Sequence, residues 1–199
     1  MHIYIAATRG VSHNSRRMIR TSFVLQNVLA HLVKDDFHYR AIKAVHKGEE
    51  KFFRKLSYII DQFKNENREC RECISNALKN LNENTLHSIL RSTFEGIFQG
   101  GVTWARIIGL FLFVGQMAVS CRLRKIPVST LYEHFHRLVK DELEIWIQEH
   151  GNWEGILSLY DKKNYVFSCF KAEDNFFIFL IGLVGVITVF NFFELVRMA

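Results

Sequence analysis

Between Ile107 and Cys121 the chain carries no charged residue. The run holds Gly109, Gly115, Gln116 and Ser120, and apolar residues fall on every side of a helical projection. It is shorter than the roughly 20 residues that a membrane-spanning helix needs. A helix that is apolar all round has to be enclosed by other elements. The rest of the chain must therefore supply amphipathic helices to surround it.

Periodicity supplies them. Ser15 to about Lys34 carries Leu25, Val28, Leu29, Leu32 and Val33 at spacings of 3 and 4, with a brief break at 35–39 that leaves little room for a regulatory loop. From Lys47 onward Phe52, Leu56, Ile59, Ile60 and Phe63 draw a second face. After the polar 64–69, Cys70, Cys73, Ile74, Ala77, Leu78 and Leu81 draw a shorter third. Leu86, Ile89, Leu90, Thr93, Phe94, Ile97 and Phe98 form a fourth, with Thr85 as its expected N-cap and Gly100-Gly101 as its end. Thr103 caps the apolar run, and Pro127 fits the first turn of a helix bearing Leu131, Phe135, Leu138 and Trp146. Residues 150–161 restart with Trp153, Ile156, Leu157 and Tyr160. One proline in 199 residues argues against a loop-rich or all-β design. The expected fold is all-α, a helical bundle around a central hydrophobic hairpin.

The C-terminal region differs. Residues 176–193 form an uncharged run that nearly spans a hydrocarbon core at 1.5 Å per residue. Few residues follow it, so it reads as a C-terminal transmembrane tail anchor with the domain facing the cytosol. The expected organisation is an extension at 1–14, a helical domain at 15–170, a polar linker at 171–175 and the anchor at 176–193. The opening residues lack the apolar core of a secretory signal, which with four scattered cysteines favours a reducing compartment. A formal charge of +6 is distributed among acids instead of forming a stripe, which argues against nucleic-acid binding.

Catalytic constellations are missing. Cys70 and Cys73 form a CxxC on one helical face, but no second pair follows at metal-binding spacing and no strand precedes it. They read as packing residues, with a tail-anchored thiol or metal protein as a distant alternative. His134 and His136 point to different sides of their helix. No glycine-rich phosphate loop or nucleophile elbow occurs, so neither an enzyme nor a cofactor nor a small-molecule substrate is expected. What stands out is Arg106, in the first turn of the apolar helix where the helix dipole does not favour a cation. Such an arginine calls for a carboxylate partner. With Phe94, Ile97 and Phe98 close before it, the pattern suits a cleft that receives an amphipathic helix carrying apolar anchors and one acid.

At these residues the chain resembles the Bcl-2 (B-cell lymphoma 2) family of apoptosis regulators. "FEGIFQGGVTWARIIGLF" (94–111) is similar to that family's first homology motif, and "WIQEHGNWEGILSLY" (146–160) to its second. The resemblance implies a helical bundle with a groove for the BH3 helix of pro-apoptotic relatives, both effectors of the Bax/Bak kind and BH3-only proteins, held as a heterodimer. Carried over by position, the groove would comprise Ile97, Phe98, Thr103, Trp104, Ala105, Arg106, Gly109 and Phe113, with Tyr160 at one end and Phe52 and Leu56 as a wall. Arg106 matches the arginine that pairs with the ligand's aspartate. Thr103 stands where the family usually has Asn, and Ala105 replaces a Gly that lets the ligand backbone come close. The chain's own BH3-like stretch, 44–50, is poor: Ala44 is a small anchor, and Lys51 takes an apolar position. A death effector needs that helix and a survival protein does not, so the resemblance implies an anti-apoptotic regulator at the mitochondrial outer membrane or endoplasmic reticulum. The alternative is a pore-forming effector whose hairpin, 107–121 with 131–147, enters the bilayer.

Overall fold

The computed structural model describes residues 18–66 and 74–161. The expected extension at 1–14, the Cys70–Cys73 pair, the linker and the anchor lie outside the described residues, as does Ser15, the expected start of the first helix. Among the described residues there are helices and no strand.

The first helix, α1 (Thr21–Val33), buries Phe23, Val24, Leu25, Val28, Leu29, Leu32 and Val33. Residues 18–20 are not helical, so it begins at Thr21. The next helix, α2, runs Lys47–Glu66, which makes the intervening connection 34–46 and not the brief break at 35–39 expected from sequence. The reason is packing. Phe37, Tyr39 and Ile42 sit half-buried against the core, and buried Asn27 donates through Nδ2 to the Ile42 carbonyl at 3.1 Å. The segment is fastened to α1 as coil.

After a helical stretch at 74–77 and a 3-10 turn, Leu78–Asn80, comes α3 (Glu83–Phe98). Its N-cap is Asn82, not Thr85. The Asn82 side chain accepts from the Thr85 N–H at 3.0 Å while Thr85 Oγ1 accepts from the Asn82 N–H at 3.1 Å, a reciprocal capping box. The apolar axle is α4 (Trp104–Leu123), with Thr103 as its N-cap as expected. By length and composition α4 could cross a membrane, but two-thirds of its most apolar window is buried. The helices α1, α2 and α3 pack around it, as does α5 (Val128–Glu142). Pro127 occupies the N-cap of α5, one position before its first turn. The apolar pattern that suggested one helix through Trp146 breaks at Leu143, where α6 (Glu144–Glu149) begins. A 3-10 turn, Trp153–Leu157, and the short α7 (Ser158–Asp161) complete the described chain.

An ion pair that the sequence does not announce joins α2 to the coil segment before α1. Glu49 is fully buried and receives both Arg20 Nε (2.8 Å) and Nη2 (3.0 Å), plus the Val45 N–H at 2.7 Å. The hydrogen bonds from Arg20 hold the Glu49 carboxyl below its ordinary value of 4.5, against the opposing effect of burial. Its contribution to stability is complete above that ordinary value and is lost as pH falls through the lower folded-state value. Acid titrations followed by circular dichroism should therefore show Glu49→Gln losing part of the acid dependence seen with the native chain.

Candidate binding groove

The candidate site begins at a glycine turn. After α3 the Gly101 N–H bonds back to the Phe98 carbonyl at 2.9 Å, and Gly101 takes φ +94°, a conformation that favours glycine. Thr103 then accepts from the Arg106 N–H at 3.2 Å. The Arg106 side chain curls back, and Nη1 donates to the Gly101 carbonyl at 2.7 Å. Gly100 makes room for it: a Cβ there would lie 2.6 Å from Arg106 Nη2. The two glycines thus do separate jobs, one turning the chain and one leaving space for the guanidinium.

Beneath this turn the two sequence motifs pack as one unit. Trp104 meets the Trp146 ring at 5.0 Å and the Trp153 ring at 6.3 Å, and Trp153 stacks on Phe111 at 6.2 Å. Trp153 Nε1 donates to Thr21 Oγ1 at 3.0 Å, which fastens the second motif to the start of α1. Gly155 lies against Trp104. A Cβ there would sit 2.1 Å from the His150 carbonyl oxygen and 2.8 Å from Trp104 Cζ2. Because one obstacle is backbone, Gly155→Ala should cost about 3 kcal/mol, the upper part of the overpacking range. A urea titration checks this.

The remaining candidate residues divide between buried and partly exposed. Phe52 and Leu56 on α2, Ile97 on α3, and Gly109 and Phe113 on α4 are buried, whereas Phe98, Thr103, Trp104, Ala105 and Arg106 are partly exposed. Phe94 and Phe98 bring their rings to 4.7 Å along one face of α3. Tyr160 belongs to α7, but its side chain lies outside the described residues. Both α2 and α3 pack on α4 while making at most marginal contact with each other among the described residues. The elements that carry the candidate residues thus converge on α4, with Arg106 in its first turn. Sequence reasoning missed two contributors, Glu49 with its distant partner Arg20, and Gly155 beneath Trp104. Nothing in the sequence distinguishes Gly155 from the other glycines; only its packing against Trp104 and the His150 carbonyl marks it.

A family model for apoptosis regulator proteins of the Bcl-2 family matches residues 56–153, a span that contains both α4 and the tryptophan unit. The chain carries a Bcl-2 family domain. Bcl-2-like protein 1 of Sus scrofa is 28% identical over 115 residues, covering 55% of this chain and 49% of that protein. Apoptosis regulator BAX of Mus musculus is 30% identical over 63 residues, covering 31% of this chain and 33% of BAX. The chain thus spans about half or less of the length of the curated relatives it matches. Among solved structures, Trichoplax adhaerens trBcl-2L2 bound to trBak BH3 aligns with a TM-score of 0.59 at 19% identity, over 71% of this chain and 99% of that one. Chicken BOK aligns with a TM-score of 0.59 at 16% identity, over 69% of this chain and 92% of that one. The Bcl-2 fold expected from the sequence is the fold observed, an all-helical bundle around α4.

Proposed function

We propose that this Bcl-2 family protein is an anti-apoptotic regulator that holds the BH3 helix of pro-apoptotic relatives in the groove between α2 and α3. The observation that supports the reading is that α2 and α3 both pack on α4, whose first turn carries the Arg106 guanidinium beside the partly exposed Phe98 and Trp104. An amphipathic helix would place its apolar residues over α4 and its acid at Arg106. The Trichoplax relative was solved with such a peptide, which supports BH3-containing partners here. The survival role draws support from α2. At the acid position of the chain's own BH3-like stretch, Glu49 is buried and held by Arg20 and the Val45 N–H. A helix fastened in this way is poorly offered to a neighbour's groove.

The uncharged run at 176–193 is proposed to anchor the protein in the mitochondrial outer membrane, the endoplasmic reticulum membrane or both, behind the linker at 171–175. Held there, captured partners would not assemble to permeabilise the outer membrane. The likeness to BAX and BOK makes the opposite role the competing reading. Isolated mitochondria separate the two. Added full-length protein should suppress cytochrome release triggered by a BH3 peptide. Release provoked by the protein alone, together with leakage from liposomes, would establish the effector role instead.

A further inference from the structure

Where α3 meets α5, a cleft of about 120 Å³ opens between the two helices, lined by none of the residues assigned to the groove. It is lined by His87 and Arg91 from α3 and by His134, Arg137 and Asp141 from α5. The two imidazole rings meet across it with centroids 5.0 Å apart at an interplanar angle of 63°. Arg91 is already engaged, donating to Glu95 at 2.7 Å on its own helix and to Glu142 at 2.8 Å on α5. The cleft is not a good metal site. Among the described residues no three His, Cys, Asp or Glu side chains are placed to share an ion. Nor does it suit an anion, because Glu95, Glu133, Asp141 and Glu142 outnumber Arg91 and Arg137 around it. What two facing imidazoles do respond to is protons.

We propose that the His87–His134 contact is an acid-sensitive joint, in which protonation of both rings makes them repel across the cleft and loosens α3 from α5. With at least one ring uncharged, the two pack edge to face as aromatics. When both are charged, repulsion at 5.0 Å amounts to a factor of about four in the closing equilibrium even at the dielectric of bulk water. Groups on both helices bear on the pair. Arg91 and Arg137 add to the repulsion, while Glu133, Asp141 and the carboxylates of Glu95 and Glu142 oppose it. At His134 the balance is settled in favour of the neutral ring. Burial, followed by the charges of His87 and Arg137, pushes its pKa below 6.5 despite Glu133. The stabilisation is therefore full above the ordinary histidine value and lost as pH falls through the lower folded-state one. The helix so loosened leads through Gly100-Gly101 to Arg106, yet the joint would work whatever the groove binds.

Hydrogen–deuterium exchange on the full chain in mild detergent tests this, at about pH 7.5 and about pH 5.5, either side of the histidine range. After correction for intrinsic exchange rates, the opening constant of amides in 83–98 should rise on acidification. That rise should exceed the rise in His87→Gln, by a factor approaching about four as both rings become charged. His87 is exposed, so its replacement should leave the fold intact, and one neutral ring suffices to abolish the repulsion. A His136→Gln control should keep the native response, because His136 stacks on Tyr132 at 5.8 Å instead of facing His87. Equal acid responses in the native chain and His87→Gln, or no response in the native chain, would overturn the proposal.

Discussion

Trp153→Ala is expected to lower the stability of the folded domain by about 3–5 kcal/mol, the range for removing a large aromatic from a packed core. The ring is 2% exposed and touches both Trp104 and Phe111, so its loss leaves a cavity at the junction of two motifs. The indole N–H goes with it, which leaves Thr21 Oγ1 without that donor at the start of α1. Domains of this size are stable by only about 5–15 kcal/mol. The variant should unfold at much lower urea concentration, with the slope of the transition unchanged. Trp153→Phe should recover most of the loss, since packing outweighs one hydrogen bond here. A midpoint near that of the native chain for Trp153→Ala would mean that the tryptophan unit does not hold the groove's base together.

The second large effect concerns binding. Under the proposed function, Arg106→Ala should weaken a BH3 peptide by about 2 kcal/mol or more, roughly 30-fold in Kd, because it strands an acid at the edge of an apolar groove. In the free domain the guanidinium donates to the neutral Gly101 carbonyl. An incoming carboxylate offers an ion pair, with charge on both partners, in place of that bond. The unfolding midpoint of the unliganded variant, which also loses the bond to Gly101, is read beside the affinity. A large stability loss together with unchanged peptide affinity would make Arg106 a structural residue of the turn.

Legibility in the sequence followed the range of the interactions concerned. The uncharged run around Leu110 and Val114 was enough to place α4 at the centre, because a helix apolar on all sides has no alternative but enclosure. Thr103 was readable as a cap since its partner is three residues away. Local chemistry misled at Asn82 and Thr85, two polar residues that can each start a helix; here they share the task in a capping box. The break at Leu143 was invisible, because Leu138, Val139, Leu143 and Ile147 continue a helical apolar stripe across it. Coil packed on the core, as at Tyr39 and Ile42, carries no periodic signature at all. Least legible was the Arg20–Glu49 pair. Its partners are 29 residues apart, and nothing at either position marks a carboxylate destined for complete burial. The same limit hid the His87–His134 contact, which exists only once α3 and α5 are side by side.

The most direct test of the account is calorimetric titration of the full-length protein, in mild detergent, with a panel of BH3 peptides. The account predicts at least one peptide binding with a Kd below about 1 µM, equivalent to about −8 kcal/mol. It also predicts that this peptide protects the amides of α2 and α3 from exchange more than those of α1. A panel that produces no heat, with the domain folded and its groove helices unprotected, would contradict it.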